Sequence, residues 1–270
     1  MQFHGTERSQ GRKTQCGNEI MKKGRWIMRI LMLAVALFIS FLPAGDAAVE
    51  RFALQAGTRW ETSGCIVDSG QPGPVALILG GVHGNEPAGA AAAEKICGFS
   101  PIAGKLVVVP RVNPLGLKDN VRYRSEIGDM NRVYPPISEG LPAEQLGAEM
   151  IRLMEQWRIN MLIDLHEART FHKLDRTSLG QTLLFADNSA SAELAMDTVE
   201  AVNRGISEDV KKFAMVGHPI RSSSAWYAGK YLGIAAFTVE TSSRQPLQDR
   251  VEQHLAIVRE LLAAGGWLPR

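Results

Sequence analysis

Five or six short apolar runs limit this chain to few architectures. Val75-Ala76-Leu77-Ile78-Leu79, Lys105-Leu106-Val107-Val108-Val109, residues 161–165, residues 181–185 and residues 234–239 each have the length of a strand, and residues 213–216 add a shorter piece. A strand apolar on both faces is covered on both faces, which calls for helices above and below one sheet. Helical stretches are read at 88–96, 143–157, 190–202 and 247–264, the last ended by Gly265-Gly266. The first two runs enclose a helix and so read as a crossover unit with parallel pairing. The expectation is an α/β fold: a single domain with a mixed, largely parallel sheet and helices on both faces. In such sheets ligands bind outside the carboxyl ends of the strands.

Three of the runs end in residues suited to chemistry. Residues 75–79 lead into Gly80-Gly81-Val82-His83-Gly84-Asn85-Glu86-Pro87, where paired glycines allow a tight bend and Pro87 suits a first helical position. His83 and Glu86, three apart in that bend, can reach one small cation. Met161-Leu162-Ile163-Asp164-Leu165-His166-Glu167 delivers His166 as a third ligand, the number that zinc hydrolases use beside an open position. Asp164 shares the parity of His166 and is a candidate partner for one of the ligands, while Glu167 points to the opposite face. Ala235-Ala236-Phe237-Thr238-Val239-Glu240 ends in a carboxylate placed as a general base would be. Residues 113–136 lack usable periodicity and are long for a connection, but they gather Arg122, Arg124, Asp129, Asn131 and Arg132. His172, His218 and His254 are read as surface or core histidines.

Composition adds a compartment and removes a partner class. Met21-Lys22-Lys23-Gly24-Arg25 is a basic segment, followed by an apolar stretch at 30–41 and the small residues of Pro43-Ala44-Gly45-Asp46-Ala47. That is the pattern of a signal peptide, with cleavage expected after Ala47 and a periplasmic or secreted product. A membrane partner is expected only if this segment stays uncleaved. Met21 is a second plausible start. Two segments follow: an N-terminal extension with signal peptide at 1–47 and a catalytic domain at 48–270. Residues 1–47 hold 7 of the 30 Lys+Arg and 3 of the 28 Asp+Glu, so the formal charge passes from +2 for the whole chain to −2 for the remainder. No basic run survives, and nucleic acid is not an expected partner. Cys65 and Cys97 remain; an exported protein can pair them, and two separate thiols fit equally well.

His83-x-x-Glu86, His166 and the strand-ending Glu240 resemble the zinc carboxypeptidases of the carboxypeptidase A type and, equally, the related succinylglutamate desuccinylase/aspartoacylase family. Asn113-Pro114-Leu115-Gly116 and Asp129-Met130-Asn131-Arg132 match two further signatures, in the family's order, and the likeness runs from about Pro74 to Glu240. The resemblance implies a zinc-dependent hydrolase of an amide bond near a free carboxylate. In it His83, Glu86 and His166 hold one Zn²⁺, Glu240 is the base, Arg122 polarises the scissile carbonyl with Arg124 as the alternative, and Asn131 and Arg132 hold a substrate carboxylate. The tyrosine that carboxypeptidases place near the scissile bond has no clear match, Tyr227 being near in sequence. About 30 residues follow Glu240, short of the β-domain that the deacylases carry over their site. An exported chain with an open cleft is expected to act on a peptide, such as a cell-wall stem peptide. An N-acyl amino acid deacylase and a binding module that kept the fold without turnover are the alternatives.

Overall fold

The structure, a computed structural model, describes residues 47–137 and 140–270. The expected signal segment therefore lies, but for Ala47, outside the described residues. Eight strands form one mixed sheet: β1 (Ala48–Leu54), β2 (Thr62–Asp68), β3 (Val75–Gly80), β4 (Lys105–Val109), β5 (Met161–Ala168), β6 (Thr182–Phe185), β7 (Ala214–Gly217) and β8 (Ala235–Ser242). Their order is β1-β2-β4-β3-β5-β8-β6-β7. The four central strands, β4-β3-β5-β8, are parallel, as continuous apolar runs require, and antiparallel strands flank them.

Each face of the sheet has its own core. Ala76, Ile78, Val108 and Ile163 pack against α1 (Pro87–Ile96), α4 (Ser189–Arg204) and α6 (Leu247–Ala264). Leu77, Leu79, Val107 and Leu162 pack against α3 (Pro142–Gln156) and α5 (Ser224–Tyr227). Odd and even positions of one strand serve different cores because successive side chains alternate. The helix α1 begins at Pro87, and it is buried through Ala88, Gly89, Ala90, Ala92, Ala93 and Ile96. Small residues let it lie close on the sheet: a side chain at Gly89 would run into the carbonyl oxygen of Leu165 in β5.

One helix in the 113–136 stretch was not legible as periodicity. It is α2 (Pro114–Asp119), six residues long, with Pro114 in its first turn and Asn113 as its N-cap. Six residues are too few for a 3.6-residue apolar repeat to register. The side chain of Asn113 accepts a hydrogen bond from the Gly116 N–H at 2.9 Å, the role expected of a capping asparagine. Its amide also donates to the Arg122 carbonyl at 3.3 Å.

Cys65 in β2 and Cys97 after α1 form a disulfide, with Cα atoms 6.2 Å apart and a sequence separation of 32. The bond ties the helix that positions the site to the antiparallel side of the sheet. Closing a loop of this length removes unfolded-state entropy worth about 3–4 kcal/mol at 25 °C. Replacing both cysteines by alanine should lower the unfolding free energy by about that amount, to be read from urea unfolding of the two proteins.

Candidate metal centre and substrate pocket

Strand register brings the distant residues together. In the parallel β5–β8 pair, His166 lies opposite Glu240 and Asp164 opposite Thr238, so all four point to the face that carries α5. The bend after β3 then delivers His83 and Glu86, with Gly81 at φ +63°, a left-handed conformation suited to glycine. The Nδ1 atom of His83 is 2.8 Å from Oε1 of Glu86, and Nδ1 of His166 is 2.9 Å from Oε2. The two Nδ1 atoms are themselves 3.1 Å apart. All three residues are buried, and their ligand atoms lie within 4.8 Å of one another.

This arrangement suits a small cation. Ligands about 2.0–2.1 Å from a tetrahedral ion stand about 3.3 Å apart along an edge, close to the nitrogen–nitrogen distance here. Two imidazole lone pairs facing each other at that distance repel unless a proton or a cation lies between them. The backbone N–H of Glu167 donates to Oε2 of Glu86 at 3.0 Å and steadies the carboxylate from behind.

Each imidazole has a carboxylate at its far nitrogen, hydrogen-bonded for His83 and in ion-pair contact without hydrogen-bonding geometry for His166. Nε2 of His83 lies 3.2 Å from Oδ1 of Asp129, and Nε2 of His166 lies 3.1 Å from Oδ1 of Asp164. Such carboxylate–histidine contacts fix which ring nitrogen faces the ion. Asp164, whose parity marked it as a partner, thus serves His166; it also accepts a 2.6 Å hydrogen bond from Ser224 in α5. The bracing role of Asp129 was hidden in the sequence, because a loop residue 46 positions after His83 has no parity to follow.

Burial and charge shift the titration of these groups. Burial opposes ionisation of Glu86, but His166 and His83 outweigh it and hold its carboxyl at about 2. Burial likewise opposes a charge on His166, yet Asp164 and Glu86 raise its imidazole well above the ordinary value. Glu240 is raised to about 8, first by burial and then by Glu86 and Asp164, against the pull of His166 and Arg122.

Glu167, as parity predicts, turns to the opposite face. There its Oε1 accepts a 2.6 Å hydrogen bond from the Ala88 N–H, and its other oxygen pairs with Arg250 of α6. Glu86 sits at the N-cap of α1 without capping it, since its side chain faces the metal group; Glu167 does that work from the neighbouring strand. His254 is buried at the same face, beside Thr241 at 3.2 Å.

A pocket of about 590 Å³ opens over the group and is lined by His83, Glu86, Arg122, Asn131, Arg132 and Glu240 among others. Arg122 reaches Glu86 at 3.5 Å and Asp129 at 3.4 Å, contacts long enough to leave its guanidinium available. Arg132 donates to the Asn131 carbonyl at 2.6 Å and has no carboxylate partner among the described residues. The Oδ1 atom of Asn131 is buried and without a hydrogen-bond partner. Arg124 is not in the pocket lining; it is engaged by Asp119 and Glu126 at the surface. Tyr227 packs on Tyr134 and Tyr231, with ring centroids 6.2 and 5.1 Å away, and Ile220 lines the pocket instead. The far rim is Arg169 and Thr177-Ser178-Leu179, a loop whose sequence carried no signal beyond polarity.

The fold has known counterparts. The mDAP-bound form of Helicobacter pylori Csd4, a D,L-carboxypeptidase, is similar at a TM-score of 0.67 and 22% identity, covering 73% of this chain and 52% of that one. A succinylglutamate desuccinylase/aspartoacylase from Rhodobacter sphaeroides is similar at 0.62 and 18%, covering 83% and 66%. An aspartoacylase family protein from Mesorhizobium loti is similar at 0.59 and 19%, covering 85% and 71%. At these identities the likeness is one of fold, and the chain spans about half the length of the Csd4 structure. No curated protein matches the chain. The family model for the succinylglutamate desuccinylase/aspartoacylase catalytic domain matches residues 72–264; the chain belongs to that family.

Proposed function

We propose that this protein is an exported, zinc-dependent hydrolase that cleaves an amide bond next to a free carboxylate in a peptide. The observation that carries the reading is the convergence of His83, Glu86 and His166 beside Glu240, in one pocket with the uncommitted guanidinium of Arg132. Two histidines and a glutamate are a catalytic zinc donor set, leaving a position open. Zinc, when bound, supplies a Lewis acid that polarises a carbonyl and makes water acidic near neutral pH.

The chain's own groups carry the proton and orient the substrate. Glu240, buried against His166, accepts the proton of the attacking water and returns it to the leaving nitrogen. Arg122 turns from its long contacts with Glu86 and Asp129 to the developing oxyanion. Arg132 and Asn131 hold the substrate carboxylate, the guanidinium fork matching its two oxygens. Export is supported by the Cys65–Cys97 disulfide, which belongs in an oxidising compartment. The peptide substrate is supported by the likeness in fold to a D,L-carboxypeptidase. The family's own deacylases favour a second reading, hydrolysis of an N-acyl amino acid, which uses the same residues.

Glu240→Gln should reduce turnover by about 10²–10⁴-fold while leaving the metal content unchanged, as measured by elemental analysis beside the assay. An equal rate in both proteins across peptide and N-acyl substrates would leave only a binding module.

Amidating the substrate carboxylate should cost about 2–5 kcal/mol in kcat/KM, because it leaves Arg132 unpaired. Arg132→Lys should be nearly as harmful, since an ammonium lacks the fork. Mass spectrometry of products from a mixed pool of muropeptides, peptides and N-acyl amino acids separates carboxypeptidase from deacylase.

Metal uptake must displace the proton held by His166. Affinity for Zn²⁺ should therefore rise by about tenfold per pH unit below the pKa of that imidazole. Calorimetry in buffers of different ionisation enthalpy would count the released proton.

A further inference from the structure

The helix that starts at a metal ligand takes its cap from another strand. Glu86 is the N-cap residue of α1, the position whose side chain ordinarily accepts a hydrogen bond from an N–H in the first turn. It makes no such bond, because its two oxygens are turned to His83 and His166. Pro87, next in the chain, has no N–H to offer. The N–H of Ala88 is therefore the first that needs an acceptor. Ala88 is fully buried, where an unpaired donor is costly.

Glu167 supplies the acceptor. Its Oε1 takes the Ala88 N–H at 2.6 Å, while its own backbone N–H reaches Oε2 of Glu86 at 3.0 Å. One residue of β5 thus grips both Glu86 and the residue two positions further on. Helix and strand come this close because Gly89 has no side chain to meet the Leu165 carbonyl. The Cys65–Cys97 disulfide pins the far end of α1, and Glu167 pins the end that carries the ligand.

The grip is buried and charged. The Glu167 side chain is 2% exposed and that of Arg250 12%, and neither has another ion-pair partner among the described residues. Arg250 neutralises the charge that Glu167 brings beneath the site, as a buried carboxylate requires. Without an acceptor from β5, the Ala88 N–H would compete with the metal for the Glu86 carboxylate.

We propose that Glu167 is a positioning residue for the metal: by capping α1 in place of Glu86, it leaves the Glu86 carboxylate free for the ion and sets the affinity of the site. Arg250 acts only as its counter-charge. The proposal rests on the zinc reading above.

Two double variants of the full chain separate the cap from the charge. Glu167→Gln/Arg250→Met keeps an oxygen for the Ala88 N–H, and Glu167→Met/Arg250→Met removes it. Both exchange a buried ion pair for neutral groups of similar volume, a change that folds tolerate. Zinc affinity is measured by competition with a chelator, the ligand set by the absorption spectrum of the Co²⁺ form, and folding by urea unfolding of the metal-free proteins. The glutamine variant should bind zinc nearly as tightly as the wild type. The methionine variant should bind it about 10–100-fold more weakly, with an altered cobalt spectrum. Equal zinc affinity in the two double variants would overturn the proposal. So would the failure of either to fold, since the contact would then hold the fold and not the ligand. A loss confined to the methionine variant, with a wild type that cleaves neither peptides nor N-acyl amino acids, would uphold the positioning role and sink the hydrolase. A wild type that takes up no zinc would sink both.

Discussion

The carboxylate of Glu86 is the point on which the structure converges. Four groups from three parts of the chain address its two oxygens: the Nδ1 atoms of His83 and His166, the backbone N–H of Glu167 and the guanidinium of Arg122. A buried carboxylate is tolerated only when paired and hydrogen-bonded, and here nearly every partner is also part of the site. The same residue is the N-cap of α1 yet does not cap it, so the helix takes its cap from Glu167 on β5. Metal group, helix and central strand are thereby tied into one unit.

That unit explains the shape of the sheet around it. Parallel β3, β5 and β8 put the bend after β3, His166 and Glu240 at the same end, and the β5–β8 register sets His166 beside Glu240. Alternation along β5 then divides the labour: Asp164 and His166 face the side that carries α5, while the Glu167 side chain turns to the start of α1 and to Arg250 of α6. Breaking that Glu167–Arg250 pair would leave a charge stranded at the base of the site. On the pocket side, Ser224 of α5 holds Asp164, and Asp129 holds His83. Burial, with the negative charge of Glu86 and Asp164, raises Glu240 to about 8 against the pull of His166 and Arg122.

The rim follows different rules from the floor. Its residues come from the 113–137 stretch, the loop after β5 and the segment before α5, none of which is a regular element of any length. Asn113 shows how such a stretch is nonetheless fixed: it caps α2 and holds the Arg122 carbonyl, so a short helix sets where the arginine begins. Arg124, two residues on, is drawn to Asp119 at the surface instead. This rim presents Arg122, Arg132 and Ile220 to the pocket.

By itself the sequence determined the layered α/β fold, the parallel pairing of the central strands, the strand ends that carry His83, His166 and Glu240, and the opposite directions of Asp164 and Glu167. These are local properties: apolar run length, period-two alternation and the bend that paired glycines allow are written in adjacent residues. Only the tertiary structure decided that Asp164 serves His166, that Asp129 serves His83, that Glu167 caps α1 while pairing with Arg250, and that Cys65 and Cys97 meet. It also separated Arg122 from Arg124 and put Ile220 in the pocket lining. Each of these joins residues far apart in the chain, or turns on a loop with no period. Such contacts depend on how elements pack in space, and a one-dimensional pattern carries no register between them.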